Sequence, residues 1–117
     1  MPIIEHSALP MPKAVDKISA RSLVSSENGA KSLTVREVII HPGSVGRLHT
    51  HPTDQAIMVR AGAIQMIVGD EVQTVRSGFT MVAPPGVPHK LINNLWVPAT
   101  LLVIDATDNL DTDYLEE

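Results

Sequence analysis

Short apolar runs separated by turn residues are the feature that most restricts the fold of this chain. Runs such as SLTVREVII, EVQTVR and ATLLVID are each long enough for one strand, and glycine, proline or asparagine separates each run from the next. No long segment repeats its apolar residues with the period of a helix. This pattern predicts about eight to ten strands, arranged as an all-β barrel or sandwich.

The chain is predicted to form one domain preceded by an arm. Its 117 residues suffice for one hydrophobic core and are too few for two. Residues 1–17 contain three prolines and little apolar periodicity, so we expect an N-terminal arm that lies on the surface or against a partner subunit. Residues 18–117 are expected to form a single β-barrel domain, which begins with a hairpin around Asn28-Gly29. The acidic tail TDNLDTDYLEE is expected to be a solvated end.

Composition and charge argue against several classes of partner. Nine basic residues are scattered among thirteen acidic ones, a pattern that disfavours nucleic acid and anionic membrane surfaces. No apolar stretch is long enough to span a bilayer, and the first residues lack the basic and apolar regions of a signal peptide. The absence of cysteine excludes disulfides and thiolate metal ligands. We therefore expect a cytoplasmic protein with no nucleic acid and no membrane as partner.

Histidines with the spacing of metal ligands occur in two stretches. In the segment HTHPTDQ, His49 and His51 lie two residues apart, so on a strand both imidazoles face the same side. Gln55 follows where a carboxylate would be the more usual ligand. His89 follows a Pro-Gly turn and precedes another strand-like run, so it could meet the first two histidines across a barrel.

Together the two stretches resemble the two motifs of the cupin superfamily. The first motif is matched by GSVGRLHTHPTDQAIMVRAG, in which Gln55 replaces the family's glutamate, and the second is matched throughout by GFTMVAPPGVPHKLIN. The matched positions are Gly43, His49, His51 and Gly62 in the first motif, and Gly78, Pro84, Gly86, His89 and Asn93 in the second. The four glycines are expected where strands reverse and either a positive φ or close backbone approach is needed.

The resemblance implies a cupin double-stranded β-helix, which is a jelly-roll-like β-barrel, with one divalent transition metal ion inside it. The implied metal ligands are His49, His51, Gln55 and His89. Zn, Ni, Cu, Fe and Mn suit this donor set about equally. Because the oxygen of Gln55 is neutral, the ion would keep more positive charge than beside glutamate, which favours Lewis-acid chemistry over redox cycling. Because glutamate would bring a negative charge to the site, Gln55→Glu is expected to tighten the binding of a divalent ion.

Several alternatives remain open at this stage. The histidines could be polar residues of a metal-free barrel, and Gln55 could hydrogen-bond a ligand histidine without touching the ion. The chain could be a metal-dependent enzyme acting on a small substrate with two oxygen ligands, by Lewis-acid or dioxygenase-type chemistry, or a module that binds a sugar or metabolite without turnover. No catalytic residue can be named. A small-molecule ligand or substrate and a homodimer that uses the arm are the expected partners.

The remaining candidates are assigned by residue type. Large apolar residues are expected in the core or the pocket lining: Met58, Met66, Phe79 and Trp96. Polar residues on the strand-like runs are expected at the surface: Arg36, Glu37, Arg60, Gln65 and Asp105. His6 and His41 are expected in the arm and in a loop, without a functional role.

Overall fold

The computed structural model describes residues 2–116 and shows ten β-strands and two one-turn 3-10 helices within that range. Met1 and Glu117, which begin the predicted arm and end the predicted domain, lie outside the described residues. The strands are β1 (Ile18–Val24), β2 (Thr34–Ile40), β3 (His49–Thr50), β4 (Gln55–Ala61), β5 (Ala63–Val68), β6 (Glu71–Arg76), β7 (Thr80–Ala83), β8 (His89–Ile92), β9 (Ala99–Asp105) and β10 (Asp113–Tyr114). The short helices are His6–Ala8 and Ser26–Asn28. No helix of the described residues is both long and apolar enough to cross a membrane.

The strands form two five-stranded antiparallel sheets, which confirms the predicted all-β fold class. One sheet has the order β1-β2-β9-β4-β7, and the other has the order β10-β3-β8-β5-β6. The chain changes sheet between β3 and β4, at Pro52-Thr53-Asp54. Residues on either side of this crossing therefore belong to opposite walls of the barrel.

Alternation of buried and less buried residues builds the core. In β9 every second residue is buried, from Ala99 through Leu101 to Asp105, and β4 buries Gln55, Ile57 and Val59 in the same manner. Side chains two apart on a strand face the same side, so each inward row is apolar along most of its length and ends in one polar residue. Gln55 is paired directly with Asp105, which brings both polar ends to the same place in the barrel.

The turns follow the predicted chemistry with one difference. β1 and β2 pair as an antiparallel hairpin, as expected around Asn28-Gly29. Their connection is longer than a two-residue turn, because Ser26–Asn28 forms a 3-10 helix with a Ser25 capping box. The four motif glycines all have positive φ, one of the two conditions predicted, and Gly62 combines φ +76° with close approach to the Pro98 carbonyl.

The expected burial of the large apolar residues was wrong for Trp96 and Met58, and only partly right for Phe79. Trp96 and Phe79 were expected in the core or pocket lining, but 96% and 59% of their surface is exposed, although Phe79 lines a second cavity that contains none of the histidines; Met58 is also exposed. These residues lie on a loop, before a strand and on the outward face of β4, where hydrophobicity alone does not give orientation. Met66 is buried as expected.

The C-terminal tail is not a free solvated end. Asp113–Tyr114 forms β10, which pairs with His49–Thr50 of β3. The backbone amide of Leu115 donates to the Leu48 carbonyl at 2.8 Å, and Glu116 accepts from Lys90 at 3.1 Å. The acidic composition of the tail did not reveal this pairing, because the open edge of β3 supplies the hydrogen-bonding partner.

Candidate metal centre

Three histidines from one sheet meet at the inner wall of the barrel. His49 lies on β3 opposite His89 of β8, and His51 follows β3. One nitrogen from each ring lies within 4.8 Å of the corresponding nitrogens of the other two. Nitrogens bound to one ion at about 2.1 Å are at most about 4.2 Å apart, so small side-chain adjustments would close the cluster. These three histidines could therefore hold a metal ion.

The second ring nitrogen of each histidine is held by the backbone. The Nδ1 atoms of His49, His51 and His89 lie at hydrogen-bond distance from carbonyl oxygens of Arg47 (2.7 Å), Asp111 (2.9 Å) and Val87 (3.0 Å), respectively. A carbonyl oxygen only accepts, so these contacts favour the tautomer in which Nδ1 carries the proton. That tautomer leaves the lone pair of Nε2 available to a metal ion.

Burial keeps two of these imidazoles in the form that binds metal. Burial is the main cause of the lowered pKa of both His49 and His89. The neighbouring histidines lower the pKa of each ring further when they are charged, while the backbone hydrogen bonds oppose the shift. Neutral imidazole is the form that binds metal. Because the pKa is lowered, these two rings stay neutral to a lower pH than a histidine in water does.

Gln55 reaches the histidines from the opposite sheet. Its Oε1 atom lies 2.9 Å from Nε2 of His89, and its Nε2 atom donates to Oδ1 of Asp105 at 2.7 Å. His89 thus lies between two carbonyl oxygens, those of Val87 and Gln55, whereas a neutral imidazole has one N–H. A cation between Nε2 of His89 and Oε1 of Gln55 would satisfy both lone pairs.

Asp105 and Arg36 were expected at the surface, and for Asp105 this was wrong. Asp105 is fully buried, with 0% of its surface exposed. Its Oδ2 atom lies 3.4 Å from Nη2 of Arg36, whose side chain is partly exposed and lines the cavity beside the histidines. The parity of β9 places Asp105 inward with Leu101 and Val103, but Leu102 and Ile104 make the other face of the strand apolar too, so the sequence carried no signal that located Asp105.

The histidines and Gln55 line a cavity of about 240 Å³. Much of its remaining wall is aliphatic and comes from β1, β2, β4, β8 and β9. The C-terminal segment, residues 110–116, contributes Leu110, Thr112 and Tyr114 to the lining. The guanidinium of Arg47 lies 3.7 Å above the ring of Tyr114. The cavity is therefore small, largely apolar and bounded on one side by the predicted tail.

Sequence comparison agrees with this architecture. A family model described as a cupin domain matches residues 36–105, which is more than half of the chain. The chain belongs to the cupin family. In this cupin barrel, the three histidines at the inner wall form the candidate functional site. A search by sequence among curated proteins finds no match.

Solved structures with the same fold include several cupin proteins. The polyketide cyclase RemF from Streptomyces resistomycificus has 17% identity and a TM-score of 0.87, covering 100% of this chain and 87% of its own. KdgF from Halomonas sp. has 18% identity and a TM-score of 0.77, covering 91% and 94%. A formate complex of oxalate decarboxylase from Lactobacillus farciminis has 18% identity and a TM-score of 0.79, covering 94% and 34%. At these identities the likeness shows the fold alone.

Proposed function

We propose that this cupin is a metal-dependent enzyme that acts on a small substrate carrying two neighbouring oxygen atoms. The proposed metal ligands are His49, His51, Gln55 and His89. The observation that carries the proposal is the set of three Nδ1 atoms at backbone carbonyls, which leaves three Nε2 lone pairs beside the Gln55 oxygen. This donor set fits a divalent transition ion, and an ion that accepts five or six ligands keeps coordination positions for substrate beside these four.

The proposed chemistry is Lewis-acid activation of a carbonyl compound. When bound, the ion would polarise a substrate carbonyl and increase the acidity of the adjacent C–H group. A neutral ligand set supports this choice, because no anionic ligand reduces the charge of the ion. The similarity in fold to a polyketide cyclase along the whole chain supports a substrate with more than one carbonyl group.

The other cavity residues supply binding and exclusion of water. Arg36 lines the cavity and carries a positive charge, so it would bind an anionic oxygen of the substrate. The aliphatic wall would hold the carbon skeleton of the substrate and limit access of water. A cavity of about 240 Å³ restricts the substrate to a small molecule.

The experiment is elemental analysis of protein purified without added metal, followed by thermal melts with Zn, Ni, Cu, Mn and Fe. We expect close to one divalent ion per chain and an increase in melting temperature with the preferred ion. Loss of a residue that supports a metal ligand without touching the ion costs about 10–100-fold in affinity. His89→Ala removes a ligand itself, so it should weaken metal binding by more than that. His41→Ala, which removes a histidine outside the cluster, should bind as the wild type does. Absence of metal together with no stabilisation by any of the five ions would refute the site.

A binding module without turnover is the second candidate, and the cavity lining favours it in one respect. Among the residues that the structure describes, no aspartate or glutamate lines the cavity, so it offers no free carboxylate as general base. Exchange of the acidic C–H protons of a β-keto acid for deuterium, followed by NMR, separates the candidates. An enzyme accelerates the exchange in the metal-loaded state, and the His89→Ala variant does not. A binding module shifts the ligand resonances without exchange.

We also propose a homodimer that uses the arm. Ile3 and Val15 of the arm are largely exposed, with 90% and 75% of their surface accessible, which supports a role in contact with a second copy. Sedimentation at micromolar concentration should show a dimer, and removal of residues 2–12 should shift it toward monomer. A monomeric wild type would contradict the proposal. The cytoplasmic location stays a prediction from the sequence.

A further inference from the structure

The buried carboxylate of Asp105 has two protein partners. Its Oδ1 atom accepts a hydrogen bond from Nε2 of Gln55 at 2.7 Å, and its Oδ2 atom lies 3.4 Å from Nη2 of Arg36. The residue has no exposed surface and ends the inward row of β9. Burial of a carboxylate costs free energy unless hydrogen bonds and opposite charge compensate it. The two contacts of Asp105, one of them with an amide that lines the cavity, provide this compensation.

The contact restricts the amide of Gln55 to one orientation. A side-chain amide can turn by half a rotation and exchange its oxygen and nitrogen at little cost in shape. A carboxylate only accepts hydrogen bonds, so the amide must present its NH2 group to Asp105. The oxygen is then forced to the other side, where it lies 2.9 Å from Nε2 of His89.

We propose that Asp105 is a positioning residue that keeps the oxygen of Gln55, and not its NH2 group, directed at the metal ion. This inference rests on the metal site proposed above. An amide nitrogen has no available lone pair, so the reversed amide would present two N–H groups to a cation. Asp105 thereby makes a glutamine usable as a neutral oxygen ligand, and it does so through Gln55 without touching the ion.

Arg36 determines what a substitution of Asp105 would do. Asparagine in place of Asp105 keeps the shape but must choose which atom faces each partner. Arg36 carries only donors, so Asn at this position would turn its oxygen to Arg36 and its NH2 group to Gln55. The amide of Gln55 would then reverse and direct its nitrogen at the ion.

The same geometry alters the expectation for Gln55→Glu. From the sequence, the anionic glutamate should bind a divalent ion more tightly. In the structure, Glu at position 55 would place its second carboxylate oxygen where the Gln55 NH2 group contacts Asp105, at 2.7 Å. Two carboxylates at this distance repel each other. The single variant should therefore lose affinity, and tighter binding should require removal of the charge at Asp105.

The experiment exchanges the acid and the amide between the two positions. Metal affinity is measured by competition with a chelator for the wild type, Gln55→Glu, Asp105→Asn and the double variant. Each single variant should bind about 10–100-fold more weakly, as for loss of an outer partner of a metal site. The double variant restores one acid and one amide in contact, with a carboxylate oxygen directed at the ion, and should bind at least as tightly as the wild type. X-ray absorption should show four light-atom protein ligands in the double variant and three in Asp105→Asn.

Glu37→Gln is the matched control, because it neutralises another acid that pairs with an arginine, at 2.9 Å, away from the cavity. Its metal affinity should equal that of the wild type.

Single variants that bind as well as the wild type would overturn the positioning role and leave the metal site standing. A double variant that recovers folding stability in the metal-free state but not metal affinity would make Asp105 a structural residue only, which also overturns the proposal. Failure of the wild type to bind any ion would instead refute the proposed function, and this inference with it. If Gln55→Glu alone does not fold, the comparison of Asp105→Asn with the double variant still decides.

Discussion

Asn93, the last position of the second motif, supports the loop that leads from β8 to β9. Its side chain is fully buried, and its Nδ2 atom donates to the carbonyls of Ile40 at 2.8 Å and Val97 at 3.0 Å. Its Oδ1 atom accepts from the backbone amide of Leu95 at 3.0 Å. One amide thus satisfies three backbone groups. Asn93→Asp should therefore destabilise the protein, although aspartate has nearly the same shape as asparagine.

The magnitude follows from the two donors that aspartate lacks. The contact with Ile40 is buried, and loss of its donor should cost about 1–3 kcal/mol, whereas the partly buried contact with Val97 should cost about 0.5–1.5 kcal/mol. The sum is about 1.5–4.5 kcal/mol, before any further cost of burying a charge. For a domain of this size, about 4 °C per kcal/mol gives a decrease in melting temperature of about 6–18 °C.

The assay is urea denaturation of metal-free protein, followed by far-ultraviolet circular dichroism at one fixed protein concentration. Trp96 is 96% exposed and would report poorly on unfolding by fluorescence. Asn94→Asp is the control, because it makes the same change at the neighbouring exposed residue. A free energy of unfolding for Asn93→Asp within about 0.5 kcal/mol of the control would show that the hydrogen bonds of Asn93 contribute little, and the reasoning would be refuted.

Two further predictions concern the motif glycines and the response to pH. Gly62→Ala should destabilise the protein more than Gly78→Ala. Both glycines have positive φ, but a Cβ at Gly62 would lie 2.5 Å from the Pro98 carbonyl oxygen, whereas a Cβ at Gly78 would have no neighbour within 4 Å. The backbone conformation should cost about 1–2 kcal/mol in each, and the overlap about 1–3 kcal/mol more in Gly62→Ala alone; equal melting temperatures would contradict this. Lowered pKa values of His49 and His89 mean that the unfolded chain binds protons at higher pH than the folded chain, so metal-free stability should be full above the ordinary value of 6.5 and fall below it. The loss should approach about 1.4 kcal/mol per pH unit for each histidine, and a variant with asparagine at both positions should show a smaller slope in the same denaturation series.

The sequence by itself determined the fold class and the meeting of the histidines. Short strands with turn residues at fixed spacing predict a β-barrel, because strand periodicity and turn chemistry are local properties. The positive φ of the motif glycines was predictable for the same reason. The meeting of His49, His51 and His89 was predicted from the resemblance of the two motifs to those of the cupin superfamily, and no local property of either stretch implies it. Participation of these histidines and of Gln55 in metal binding stays a prediction.

Only the tertiary structure decided which polar residues surround the histidines. The run ATLLVID is apolar at both parities, so its sequence does not indicate that Asp105 faces inward with Leu101 and Val103. The contacts of Asp105 with Gln55 and Arg36 join residues 50 and 69 positions apart, which no local pattern records. The pairing of Asp113–Tyr114 with β3 likewise depends on an open sheet edge elsewhere in the chain. Orientation across a barrel and pairing between distant strands arise when the two sheets pack, and the sequence of either segment alone does not contain them.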